Sequence, residues 1–359
     1  MDIALLGLPL SGTTTLFRAL GGTFTPGARG QEHQAIVSTP DERLAQLAKL
    51  FQPKKTTHPE IHLHDLPGGL SSHGELPATA GQTLAQSDLL IGVVRAFTRA
   101  DVPHPQGGID PFRDIESLSL ELAYHDLALI ERRLERLDTS IRSAKAGERD
   151  ADRREQTLLL DARACLEEGL PLRARFPTPE HAKDLPGFGF LTLKPLLVAL
   201  NIDEAALPNA VELEKEIAAG LPAPKTAAIA ICAQLEAELA ELTEEDDAEL
   251  LRGEMGAAEP ASGRVLAASA RLLDLVTFFT VSEKECRAWQ VRAGTTALEA
   301  AGKIHSDMER GFIRVEAIQW QSLLETGSLA EARKQGILRT EGKHYPVQDG
   351  EVLHILFRV

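Results

Sequence analysis

The residues best placed to do chemistry lie near the amino-terminal end, in GLPLSGTTTLFRAL, where Gly7 and Gly12 have G-x-x-x-x-G spacing. Glycines so spaced let a backbone turn and aim its N–H groups at one anion. A helix beginning near Thr13 would add the positive end of its dipole. Leu10, Ser11 and Thr15 complete a loop of phosphate-binding length. In such loops a lysine follows the second glycine, then a serine or threonine; here those places hold Thr13 and Thr14. The hydroxyl that would face Mg²⁺ is kept, and the ammonium that would face the β- and γ-phosphates is gone. A charge-assisted hydrogen bond contributes about 1.5–3 kcal/mol, so its loss should weaken binding by roughly one to two decades. Phosphoryl transfer gathers negative charge in its transition state and should suffer at least as much. A plain strand–turn–helix corner explains this fragment equally well.

Residues further along favour the nucleotide reading. In IHLHDLPGGL an alternating apolar run ends at Asp65, with Gly68 three residues on. In that D-x-x-G arrangement the carboxylate orients the Mg²⁺ shell and the glycine amide meets the γ-phosphate. LTLKPLLVALNIDE ends in Asn201-x-x-Glu204, with Ile202 inside it, and resembles a base-reading motif whose amide side chain takes the purine edge. The run AAIAICAQLE then puts Ile231, Cys232 and Ala233 in the last base-contacting loop. This order, each motif at a strand end, matches a nucleotide-binding G domain. The expected ligand is ATP or GTP, bound weakly, with Mg²⁺ on Thr14 and Asp65. The competing account makes Asn201 and Asp65 turn caps. Arg29 and His33 are candidates for a replacement cation, against a plain solvated loop.

Three long stretches carry a resemblance to a known family. TPDERLAQLAKLFQPKKTTHPEIHLHDLPGGL resembles the approach to the D-x-x-G loop of YchF-type, Obg-like P-loop ATPases and GTPases. GGIDPFRDIESLSLELAYHDLALIERRLERL is similar to the entry into their helical insertion, and AAGKIHSDMERGFIRVEAI with EGKHYPVQDGEVLHILFRV to their TGS domain. The resemblance implies ATP preferred over GTP, because the base motif ends in Glu204. It also implies slow hydrolysis, association with ribosomes, and no water-positioning glutamine, its place being taken by Gly69. Two further segments depart from the family. GGTFTPGARGQEHQAIVSTPD lacks the expected threonine-bearing switch, so neither Thr23 nor Thr25 is carried over as a metal ligand. GLSSHGELPATAGQ lacks the glycine- and lysine-rich second switch. With the lysine also missing, the pattern implies relaxed catalysis, a slow ATPase or GTPase at best. Two functions follow: a nucleotide-binding regulator, or a pseudo-nucleotidase adaptor that docks on ribosome or RNA without nucleotide.

The elements that must position these residues read as an α/β chain. The expected domains are a P-loop NTPase G domain over 1–115 and 190–277, a coiled-coil helical insertion over 116–189, and a β-grasp TGS domain over 278–359. Ile130, Leu134, Leu137 and Ile141 follow heptad spacing. The polar break after them holds Lys145, Arg149, Arg153 and Arg154, a basic tip suited to RNA or a ribosomal surface, or merely a soluble hairpin end. Thr296 and Glu299 form a capping box. His305, His344 and His354 read as packing or surface residues. Cys165, Cys232 and Cys286, odd in number and far apart, read as free thiols in a reducing compartment. The net charge of −15 argues against broad adhesion to nucleic acid. The acidic run Glu236–Leu251 reads as a solvated helix face. No run approaches the ~18 apolar residues of a membrane span. A cytoplasmic monomer without targeting segment is expected.

Overall fold

The computed structural model describes residues 1–22, 32–39, 41–66, 78–99, 102–143, 145–178, 185–221, 224–242, 245–255, 257 and 259–358. Thr23, Thr25, Arg29, Gly68 and Gly69 lie outside the described residues. The strands are β1 (Asp2–Gly7), β2 (His33–Ser38), β3 (Lys55–Thr57), β4 (Glu60–Asp65), β5 (Leu89–Ala96), β6 (Leu196–Ile202), β7 (Thr226–Ile231), β8 (Leu275–Val281), β9 (Glu285–Arg292), β10 (Phe312–Gln319), β11 (Arg339–Glu341) and β12 (Glu351–Phe357). The chain divides into two compact units, 1–37 with 62–272 and 38–61 with 273–359.

The first unit is built on a sheet in the order β2–β4–β1–β5–β6–β7. β1 runs parallel to β4 and β5, and β5–β6 and β6–β7 are also parallel. Strands of a parallel sheet covered on both faces read as unbroken apolar runs, and β6 is buried along its whole length. The register aligns Leu5 with Asp65, Gly7 with Val93, and Asn201 with both Arg95 and Ile231. Gly7, Asp65, Asn201 and Ile231 therefore all sit at carboxyl ends on one sheet edge, where open α/β sheets bind ligands.

One long helix, Pro111–Ser143, serves two cores. Ile115, Leu118 and Leu122 pack under the sheet. Ile130, Leu134 and Leu137 pack in the arm against Leu159, Ala162 and Leu166 of the Ala146–Glu167 helix. The insertion thus begins inside a helix rather than at a loop, which a boundary at 116 does not convey. Arg133 pairs with Glu155 and Ser140 donates to Asp152, stitching the arm's two helices together. At its root the fully buried Asp126 accepts from the Leu191 and Thr192 N–H groups and the Thr192 hydroxyl. Arg173, buried nearby, donates to Thr226 Oγ1 of β7, and burial pushes its pKa down to about 10. The acidic run is not one solvated face: it spans two helices, and Glu236 is buried against Arg252.

The second unit holds a mixed sheet, β11–β10–β12–β8–β9–β3. Neighbouring side chains alternate between its faces, so Phe278 joins one core with Ala297, Ala300 and Ala301, and Phe279 joins another with Leu44 and Leu47. The helix Ala297–Ile304 carries the expected capping box, Thr296 with Glu299. Residues 38–61, assigned above to the nucleotide domain, instead complete this unit. The amphipathic helix Glu42–Phe51 covers the sheet's second face, and β3 adds parallel to β9. His305 caps a short helix, His354 meets Glu316, and His344 is exposed on the surface. No described helix is long and apolar enough to cross a membrane.

Candidate nucleotide site

The loop after β1 has the close backbone packing its glycines predict. A Cβ on Gly7 would lie 2.5 Å from both Ser11 Oγ and Val93 O. Gly12 caps helix α1 (Thr13–Ala19) at φ +94°, and a Cβ there would lie 2.2 Å from Asn201 Nδ2. Leu10, exposed, also has a positive φ of 66°, at a cost of about 1–2 kcal/mol for an L residue. The N–H groups of Thr13, Thr14 and Thr15 fall in the first helical turn and have no intrahelical partner. The Ser11 N–H turns inward to Leu8 O at 3.1 Å, and the Ser11 hydroxyl is buried without a described partner. Behind the loop His104 Nε2 stands 2.9 Å from Asp114 Oδ2, a buried pair the sequence reading missed.

On the metal side, Asp65 is fully buried at the end of β4. Its Oδ2 accepts from Thr14 Oγ1 at 2.9 Å and faces His33 Nδ1 at 3.2 Å. Its Oδ1 is buried with no described partner. Thr14 uses its one O–H on Asp65, which leaves its lone pairs for a cation. These two residues fit a hard divalent ion with few protein ligands. His33 is thus turned to the Asp65 carboxylate.

On the base side, a cavity of about 350 Å³ opens beside Gly12 and Thr15, lined by Phe97, Thr98, Arg99, Asn201, Ile202, Glu204 and Cys232 among others. That volume lies at the lower end of small-ligand pockets. Asn201 is tied to both neighbouring loops. Nδ2 donates to Ser11 O at 3.0 Å and Oδ1 accepts from Ala233 N at 3.2 Å, so this buried amide ties the phosphate loop to the base loop. Asp203 accepts from Thr98 N at 2.9 Å, while Glu204 is exposed on the cavity rim. Cys232 is buried, and desolvation pushes its thiol pKa up. Phe97, Thr98, Arg99 and Gln234 also line the cavity and were missed; the unbroken apolar run Leu89–Val94, ending in RAF, was the available signal.

Comparison with known proteins extends this picture. Residues 275–358 match the family model YchF-GTPase_C, described as a protein of unknown function (DUF933). A Bacillus subtilis protein named ribosome-binding ATPase YchF is 36% identical over 369 residues, covering 100% of both chains. The Escherichia coli O157:H7 protein of that name is 34% identical and covers 99% of this chain and 98% of its own. Among solved structures, the Schizosaccharomyces pombe YchF GTPase matches with a TM-score of 0.83 and 26% identity, covering 99% of this chain and 97% of that one.

Proposed function

The chain belongs to the YchF family, and from that premise we propose that it is a ribosome-associated purine-nucleotide-binding regulator, with ATP preferred over GTP and hydrolysis weak or absent. The observation that carries this reading is the cavity beside Gly12 with the Glu204 carboxylate on its rim. A carboxylate accepts hydrogen bonds from an exocyclic amine, which both purines carry. The preference for adenine is supported by the Asn201-x-x-Glu204 motif and by the bacterial relatives' description as ATPases. Asn201 holds the two loops at a fixed separation, so ribose and first phosphate meet Gly12 and the amides of α1. Mg²⁺, when bound, would neutralise phosphate charge, and Thr14 and Asp65 are the residues to hold it. Thr13 places no cation where the transferred phosphoryl group gathers charge, which supports slow turnover.

Titration calorimetry with ATP, ADP and GTP tests this directly. One weak site per chain, tighter for adenine nucleotides, is expected. No heat and no melting shift with any purine nucleotide in large excess would rule it out. A second reading, a nucleotide-independent adaptor, is favoured by one observation: the Ser11 N–H is spent on Leu8 O. Both readings use the arm for docking. Lys145, Arg153 and Arg154 are exposed there, whereas Arg149 is part-buried and already engaged. Neutralising the three exposed charges should weaken cosedimentation with ribosomes; unchanged cosedimentation removes the arm from the interface.

A further inference from the structure

We propose that Lys194 couples the candidate nucleotide site to the helical arm, so that phosphates beside Asp65 and the conformation of the arm root influence one another. The coupling rests on the nucleotide reading above for its trigger, and it adds the route and the residue.

The route runs through the helix Ala78–Gln86, which follows Asp65 in the chain. Within it, Thr83 Oγ1 donates to Glu32 Oε2 at 3.0 Å, and the other Glu32 oxygen stands 2.9 Å from His64 Nδ1. Both partners are chain neighbours of the phosphate side. His64 precedes Asp65, and Glu32 precedes His33, which faces the Asp65 carboxylate. At the carboxyl end of the helix, Lys194 Nζ donates to Ala85 O at 2.8 Å and to Ser87 O at 2.6 Å. Ser87 Oγ donates to Thr83 O, which ties that end to the residue held by Glu32. A nine-residue helix shifts as a body, so a displacement at Thr83 reaches Ala85 and Ser87.

Lys194 carries the contact on into the arm. It lies in the segment returning from the arm, two residues after Thr192, whose N–H and hydroxyl bond to Asp126 of the long helix. The same segment meets the Ala78–Gln86 helix sterically: a Cβ on Gly189 would lie 2.8 Å from Ala85 Cβ. His125, next to Asp126, approaches from the arm side, its Nε2 3.3 Å from where a Cβ on Gly81 would stand. A lysine that only filled space here would be a poor choice, since withdrawing an ammonium from water is costly. That withdrawal lowers the Lys194 pKa. Set on two carbonyls at a helix's carboxyl end, the ammonium instead joins the negative end of the dipole to the arm root by charge-assisted hydrogen bonds. Coupling of this kind is reciprocal, so the arm acts back on the nucleotide site with equal strength.

The test is hydrogen exchange by mass spectrometry on the full chain, with Mg²⁺ and the β,γ-imido analogue of ATP in saturating excess. In the unaltered chain the analogue should protect the Thr13–Thr15 amides. It should also change exchange at 185–194 and along the arm root, 119–130, by at least about fivefold. Lys194→Met should abolish the distal change while the Thr13–Thr15 protection stays. Lys194→Arg, which keeps a cation with several donors, should retain it. Thr83→Val cuts the route at its other end with Lys194 intact and should also abolish the distal change; it decides the matter if Lys194→Met fails to fold. Three results overturn the coupling and leave the nucleotide reading standing: protection at Thr13–Thr15 with no distal change in the unaltered chain, a distal change that survives in either folded cut, or its equal loss in Lys194→Arg. No protection anywhere removes the nucleotide reading, and the coupling with it.

Discussion

The base side and the phosphate side of the candidate site occupy the same sheet edge and are built to different standards. On the base side Asn201 is buried and bonded to both loops, Asp203 secures the Thr98 N–H, and Glu204 is left facing a formed cavity. On the phosphate side the lysine is Thr13, the Ser11 N–H is turned to Leu8 O, and Leu10 is held at φ 66°. The phosphate loop nonetheless keeps the glycines that let its backbone approach Val93 and the Asn201 amide closely. The contrast teaches that loop geometry and loop charge are separable. Geometry here is locked by a remote amide, Asn201, and survives loss of the residue that handles charge.

Variants can break or sharpen this contrast. The largest effect should come from Asn201→Ala, which leaves Ser11 O and Ala233 N unpaired in the interior; a loss of about 2–4 kcal/mol is expected in urea denaturation. If stability is unchanged, Asn201 is not the strut. Thr13→Lys should come next, restoring about 1.5–3 kcal/mol of binding to nucleoside di- and triphosphates by calorimetry. Glu204→Ala should leave stability within about 0.5 kcal/mol. It should lower affinity for purine nucleotides by about tenfold, one charge-assisted hydrogen bond's worth. Smallest is Leu10→Gly: relief of the left-handed backbone should gain at most about 1 kcal/mol in the same urea experiment, with nucleotide affinity little changed.

Much of this was legible in the residues because parallel strands announce themselves. The apolar runs ending at Gly7, Asp65, Asn201 and Ile231 placed four loops on one edge, and the heptad from Ile130 and the capping box at Thr296 were readable from side-chain spacing alone. What escaped was non-local. Nothing in residues 38–61 says that Leu44 and Leu47 will cover a sheet more than two hundred residues later, because any amphipathic helix has an apolar face. Likewise the type of residue 201 announces a polar role and not its partners. Only the folded structure shows that its amide bonds to Ser11 O and Ala233 N. Phe97 and Arg99 were missed because β5 ends without a recognisable motif.

The asymmetry between the two sides is tested most directly by a phosphate ladder. AMP, ADP and ATP are titrated into the unaltered chain with a chelator present, so that only the protein's own donors act on the phosphates. The account predicts that all three bind, with affinities within about tenfold of one another, since no ammonium rewards the added charge. ATP binding more than about a hundredfold tighter than AMP would contradict it, by requiring a charge-assisted contact that the loop from Gly7 to Thr15 does not contain.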